Sequence, residues 1–513
     1  MASFFRSFAA VGSNTMISRI LGFTRDLVLA RMFGADATTD AFFVAFKIPN
    51  FLRRLFAEGA FSLAFVPVLT EYRTKGTQEE LQDFVNKMAG TLGTVLLVAT
   101  AIGVLAAPVL VFIFAPGFWF EDEGKYHLAV DMLYLTFPYL FFISLTAFSG
   151  GILNTHNRFG AAAFTPALLN ISLIVCALWL SQSMEVPVKA LAWGVLFAGV
   201  VQFTFQIPFL HQLRLIPRPR VAFKDPGVVK VMKLMVPALF GVSVSQLNLL
   251  LDTLIASFLV SGSISWLYYS DRLMEFPVGI LAVALGTVIL PNLSRKHSEK
   301  SSQEFSDTLD WALRVTLLLG IPSAIGLLLL AGPMLATLFY SEAFNEHDVS
   351  MATLSLMAYA PGLLAIMLIK ILAPGFYARQ DTRTPVRIGI IAMVANMVFN
   401  IALVFPLAHA GLALATTCSS ALNAYLLYRG LRKDNVLQPR HGLTSLLVRS
   451  LIAGGTMAVF LVWIAGDLDY WLGISFWARI QYLILWIGCA AAIYFLSLLL
   501  MGVRPRDFRS VKH

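Results

Sequence analysis

Apolar runs long enough to cross a bilayer recur from one end of this sequence to the other. "LGTVLLVATAIGVLAAPVLVFIFA" (92–115) and "IQYLILWIGCAAAIYFLSLLLMG" (480–502) are two of them. At 1.5 Å of rise per residue, each covers a hydrocarbon core about 30 Å thick. Only 13% of the residues are charged, against about 25% in a soluble chain. The fold class is therefore an all-α polytopic membrane protein. The alternating segments of a membrane β-barrel are missing. Cys176, Cys418 and Cys489 all lie in apolar segments and read as small buried hydrophobes, with no disulfide or metal spacing. The opening "MASFFRSFAAVGSNTMISR" lacks an apolar core followed by a cleavage site and reads as retained.

Fourteen spans fit between residues 8 and 502, and the connections between them alternate in character. One set, including "HQLRLIPRPRVAFKDPGVVKVMK" and "YRGLRKDNVLQPR", holds twenty-four Lys and Arg. The other, including "PGFWFEDEGKYH" and "YSEAFNEHD", holds two, Lys125 and Lys189. The basic loops mark the cytoplasmic side, which places both termini there. The net charge of +9 is thus topogenic and gives no reason to expect a nucleic-acid partner.

Proline landmarks hint at an internal repeat. Pro67 and Pro291 are 224 residues apart, Pro138 and Pro361 are 223 apart, and Pro166 and Pro385 are 219 apart. The offset covers six spans, an even number, so the halves share one orientation. The expected architecture is two six-helix lobes related by a parallel repeat, 1–215 and 216–435, with two further helices in 436–513. Folds of this kind carry substrate between the lobes.

Charges inside the first spans demand an explanation. "SRILGFTRDLVLARMFG" (18–34) carries Arg19, Arg25, Asp26 and Arg31, and the second span carries Asp40, Lys47, Arg53, Arg54 and Glu58. Each charge costs about 2.5–3.5 kcal/mol at a helix centre, so the set must face water or its own members. Arg31 and Asp40 read as snorkelling at the outer interface. Asp26 is placed to neutralise either Arg25 or Arg19. Arg19, Arg25 and Arg53 have no obvious carboxylate each within their helices and read as cavity-lining cations. Gly22, and Pro49 with Asn50, offer bends. Arg54 with Glu58, and Arg272 with Glu275, are spaced either for local ion pairs or for substrate contacts. Asp252, Asn396, Asn400 and Thr416 offer hard oxygens suited to Na⁺, or in the amides and hydroxyl simply hydrogen bonds between helices. A surplus of arginine favours a phosphate-bearing substrate over a cationic drug, because the guanidinium fork binds phosphate oxygens in pairs.

"SRILGFTRD", "TDAFFVAFKIPNFLRRLFAEGAFSLAFVPVL", "YYSDRLMEFPVGILAVALGTVILP" and "APGFYARQDTRTPV" resemble the MurJ (MviN) lipid II flippases of the multidrug/oligosaccharidyl-lipid/polysaccharide exporter superfamily. The resemblance runs from about residue 4 to 505. It implies a transporter, not an enzyme. The cargo would be undecaprenyl-diphosphate-MurNAc-pentapeptide-GlcNAc, moved from the inner to the outer leaflet of the cytoplasmic membrane for peptidoglycan synthesis. It implies fourteen helices in two six-helix lobes, with the last two flanking a groove for the lipid tail. The family's functional positions fall on Ser18, Arg19, Arg25, Asp40, Asn50, Arg53, Arg272 and Glu275. In part of the family a sodium ion sits where Asp252, Asn396, Asn400 and Thr416 resemble its ligands, although Asn400 replaces a carboxylate. Either sodium or the membrane potential alone is then the driving force. No other cofactor is implied. The expected partners are lipid II, membrane lipids and proteins of cell-wall synthesis or division, with the chain itself a monomer. The competing readings are a multidrug exporter of the same superfamily, a membrane enzyme acting on polyprenyl diphosphates, and a scaffold. The enzyme would need a metal-binding carboxylate cluster or a nucleophile–base pair; the expectation is that no Asp-x-x-Asp run serves it, and the eight histidines fall largely in loops.

Overall fold

The computed structural model describes residues 2–279, 289, 290, 292–296, 299 and 301–504. Side-chain surroundings are described for these except at 2–13, 15, 56–58, 238, 240–245, 247 and 249. Residues 280–288 of the eighth expected span and Pro291 thus lie outside the described residues.

Among the described residues the regular structure is helical throughout. The helices are α1 (Ala2–Phe33), α2 (Ala37–Leu52), α3 (Ser62–Lys75), α4 (Gln78–Leu105), α5 (Ala107–Phe114), α6 (Pro116–Glu121), α7 (Glu123–Thr136), α8 (Tyr139–Thr155), α9 (Phe159–Val175) and α10 (Lys189–Gln212). They continue as α11 (Pro226–Ala256), α12 (Ser263–Pro277), α13 (Ser302–Leu329), α14 (Ala331–Leu338), α15 (Glu346–Tyr377), α16 (Arg383–Lys433), α17 (Leu443–Ala465), α18 (Leu468–Gly473) and α19 (Phe476–Leu500). These positions are compatible with fourteen spans. Among the described residues, nine helical stretches are long and apolar enough to cross a membrane by length and composition. In the stretch containing α19 the mean hydropathy is 2.4, yet only 22% of its window is buried within the protein. A helix so apolar and so outward-facing needs lipid as its second solvent. Phe405, Trp463 and Leu500 are accordingly among the large apolar side chains left exposed.

The chain forms two compact units, Met1–Ser265 and Trp266–His513. In the first, α1 lies along α9, α8 and α9 both pack on α10, and α11 packs on α3. Phe61, Phe65, Phe84 and Phe148 fill the core at its basic-loop end. In the second, α15 packs on α13 and α16, and α17 pairs with α19. Over α16's 51 residues a straight helix would run about 76 Å, more than twice the hydrocarbon thickness. It breaks at Ala408, whose φ of 48° is left-handed, two residues after Pro406. That break separates the eleventh and twelfth expected spans.

The two units reuse one design. Helices begin at Gln78 and Ala107 in the first and 224 residues later, at Ser302 and Ala331, in the second. Each unit also straps a returning loop along that helix. In the first, the Gln82 side chain donates to the Ile216 carbonyl, and Asn86 takes the Arg218 N–H on its side chain and the Arg220 N–H on its carbonyl. Gly90 is required there, since a Cβ would lie 2.4 Å from the Arg220 backbone. In the second, Ser306, 224 residues after Gln82, exchanges hydrogen bonds with both backbone groups of Gln438. Arg440 pairs with Asp307 at 2.6 Å. Asp307 and Asp310 do stand at the Asp-x-x-Asp spacing a metal-dependent enzyme would use. Arg440 engages the first and Arg314 the second, at 2.7 Å. Among the described residues no cluster of three His, Cys, Asp or Glu could hold a metal ion.

Candidate functional site

The charged residues of α1 settle into a buried network. Gly22 has no side chain, so Asn170 of α9 approaches to where a Cβ would stand, 3.5 Å away. The Asn170 amide then donates to the Ser18 carbonyl at 3.1 Å and accepts from Arg25 Nη1 at 2.9 Å. Arg25 Nε and Nη2 both donate to Asp26 Oδ1, at 2.9 and 2.6 Å. Arg25 and Asp26 are 8% and 3% exposed, so this is a buried ion pair, and Asp26 neutralises Arg25. The expectation that Arg25 lacks a carboxylate in its own helix is therefore corrected. Adjacent residues do not share a helix face, but the long guanidinium stem folds back. Arg19, by contrast, is exposed.

The second helix changes character where its arginines begin. α2 is followed by a nine-residue π-helical stretch, Arg53–Phe61, before α3 resumes. A π-turn is the common mark of a functional distortion inside an α-helix, and it lies just past the break expected at Pro49 and Asn50. Asn50 Oδ1 accepts from Arg53 Nε at 2.8 Å, so a neutral amide orients that guanidinium. The side chain of Glu58 lies outside the described residues. Lys47 reaches α11, donating to the Thr253 hydroxyl at 2.7 Å, next to Asp252 in sequence.

Asp40 does not snorkel. It is 1% exposed, and the correction has a physical cause: it has found enough donors to leave water. Oδ2 accepts from Lys125 Nζ at 2.9 Å and the Gly262 N–H at 2.8 Å. Oδ1 accepts from the Ser265 N–H at 2.8 Å and its hydroxyl at 2.6 Å. The carboxylate thus caps the start of α12, where backbone N–H groups lack helical partners. Lys125 also lies 4.3 Å from the Phe118 ring centroid. Both basic residues of the base-poor loops are ion-paired, Lys125 with Asp40 and Lys189 with Asp131.

In the second unit Arg272 Nη1 donates to Glu275 at 2.7 Å and its guanidinium lies 4.9 Å from the Tyr268 ring, so the local ion pair is formed. Asn400 Nδ2 donates to Asn396 Oδ1 at 3.0 Å, and Asn396 Nδ2 to the Ser419 hydroxyl at 3.2 Å. The Ser419 hydroxyl donates to the Thr416 carbonyl, and the Thr416 hydroxyl donates back to the Leu412 carbonyl. Asp252 belongs to the first unit and the other three candidate cation ligands to the second. Sequence reasoning missed Asn170, Thr253, Ser419 and the structural weight of Lys125. Only Lys125 carried a signal, as one of two bases on a side that excludes them.

Helices of membrane-crossing length, with their buried charges satisfied inside the protein, define a polytopic membrane protein. A solved multidrug-resistance MATE transporter of the MOP superfamily, in an inward-facing conformation, shares the fold, with a TM-score of 0.67 at 14% identity over 83% of this chain and 98% of that one. The chain belongs to the family described as lipid II flippase MurJ, whose pattern matches residues 29–482. A probable lipid II flippase MurJ of Vibrio cholerae is 50% identical over 98% of this chain and 96% of its own length. Lipid II flippase MurJ of Burkholderia cenocepacia is 43% identical over 98% and 99%. A solved lipid II flippase MurJ in an inward closed conformation superposes with a TM-score of 0.78 at 27% identity, covering 95% of this chain and 99% of that one.

Proposed function

We propose that this inner-membrane protein carries lipid II from the cytoplasmic to the outer leaflet by alternating access, with Arg19 and Arg53 meeting the diphosphate of the headgroup. Family membership over nearly the whole chain supports the cargo. The observation that carries the assignment of residues is the split among the arginines. Arg25 is buried against Asp26, whereas Arg19 is exposed. A guanidinium already paired with a buried carboxylate has less to offer a phosphate. Both termini lie in the cytoplasm in this reading. The pairing of Lys125 and Lys189 supports it, because the base-poor loops then present no unpaired lysine to oppose retention of the basic loops inside.

Arg19→Ala and Arg53→Ala should each abolish growth of a strain that depends on this protein, at unchanged protein amounts, with lipid II accumulating on the inner leaflet. Healthy growth of both variants would remove the diphosphate contact. Toxin sensitivity without lipid II accumulation would instead indicate a multidrug exporter.

The membrane potential drives the cycle in this reading, at about 2.3 kcal/mol for each charge crossing 100 mV. The Asn396–Asn400–Ser419 chain supports it, since Asn396 Oδ1 is already taken by the Asn400 amide and Asn396 Nδ2 by the Ser419 hydroxyl. Exchanging Na⁺ for K⁺ at constant potential should leave transport into vesicles unaltered. A loss on exchange, shared by Asp252→Asn, would restore the sodium site.

A further inference from the structure

Lys125 is a basic residue on a side of the membrane that excludes bases, buried to 5% exposure, and placed against a carboxylate that already has three other donors. Holding a turn closed does not require it. Gly262 and Ser265 alone give Asp40 three hydrogen bonds at the N-terminus of α12, which suits an anion. The four donors differ in where they are anchored. Three come from the short turn 262–265, entered through Gly262 at φ 97°. The fourth comes from α7, which packs along α2 and fixes the Lys125 backbone through its N-cap, Asp122. The Asp40–Lys125 pair therefore belongs to one packed pair of helices, and the 262–265 turn is the separable partner.

We propose that Lys125 is the resident counter-ion that allows Asp40 to let go of this turn when the outer end of the protein opens. The inference rests on the alternating-access reading above. Without Lys125, releasing the turn strips a buried carboxylate of every donor at once, and an uncompensated buried charge is costly. With Lys125, the carboxylate keeps a cation throughout and loses only the three donors of the turn. Lys125 is thus a positioning residue of the gate: it weakens the hold of Asp40 on α12 while remaining bound to Asp40 itself. The same logic accounts for Ser261, whose hydroxyl lies 3.4 Å from the ammonium and gives it a second acceptor.

This predicts the opposite of what a simple tether would do. Ser263 is fully buried and its hydroxyl makes no hydrogen bond, so Ser263→Cys is a quiet reporter of turn release. In full-length protein with Cys176, Cys418 and Cys489 replaced, a membrane-impermeant maleimide applied from outside should label this cysteine whenever the turn lets go. Lys125→Met should slow labelling at least tenfold, because Asp40 then depends wholly on the turn. Lys125→Arg should label at the original rate. Lys125→Met combined with Asp40→Asn should label at least as fast as the parent, there being no charge to strand. Equal or faster labelling in Lys125→Met would overturn the proposal. So would loss of Lys125→Met from the membrane that Asp40→Asn corrects, which would make the pair architectural. Growth of the dependent strain reads the flippase function separately, so a failure of that reading leaves the labelling comparison intact.

Discussion

Arg25→Leu and Asp26→Leu should each deplete the protein from the membrane, and the double substitution should restore it. The pair is buried, with Arg25 Nη2 2.6 Å from Asp26 Oδ1 and Nη1 on the Asn170 amide. Removing one member leaves the other charge stranded, at a cost of about 3–5 kcal/mol, whereas apolar residues at both positions are often neutral. That loss is a large fraction of the roughly 5–15 kcal/mol by which a typical fold is stable. The double variant separates two roles that single alanine substitutions confound. A folded double variant that fails to sustain growth would show that Arg25 contributes to transport beyond architecture. A folded double variant that grows would confine Arg25 to holding α1 against α9. Quantifying the protein in membranes alongside growth decides between them.

The sequence exposed what depends on composition along one helix. Apolar runs announced the spans, and Pro406 lies two residues from the left-handed break that splits α16. Local spacing also worked where partners are one turn apart, as for Arg272 with Glu275 and Asn396 with Asn400. It failed where partners are chosen by packing. Asn170 lies 145 residues from Arg25, and Lys125 lies 85 from Asp40. Neither pairing leaves a trace in periodicity. Asp40 shows the error this produces. Near a span end it reads as a wet, snorkelling charge, yet four donors from two other segments bury it. The π-helical stretch at Arg53–Phe61 was equally hidden, because its residues suit an α-helix as well. Proline and asparagine marked the region as breakable without saying how it would deform.

Arg479→Ala should destabilise the second unit strongly, although no substrate contact is assigned to it. It immediately precedes the last apolar run, at the start of the last expected span, so the tally of loop charges never included it. It is 7% exposed, at the start of α19, where the helix dipole disfavours a cation. Backbone carbonyls compensate: Nε donates to Ile474 at 3.1 Å, Nη1 to Ala336 at 3.1 Å and Nη2 to Leu472 at 2.8 Å. Ala336 belongs to the C-terminal turn of α14, whose carbonyls carry the negative end of that helix, and the guanidinium also lies 4.8 Å from the Tyr340 ring. One side chain therefore ties α14, the α18 turn and α19 together. Its loss orphans three carbonyls at about 1–3 kcal/mol each, so thermal unfolding of the purified protein should shift down by several degrees or more. Arg479→Lys should recover only part of this, since a single ammonium cannot reproduce the planar fork that reaches all three oxygens. An unaltered melting temperature in Arg479→Ala would show that water or a neighbouring donor replaces the fork. The C-terminal helix pair would then be held by the apolar contacts of α17 and α19 alone.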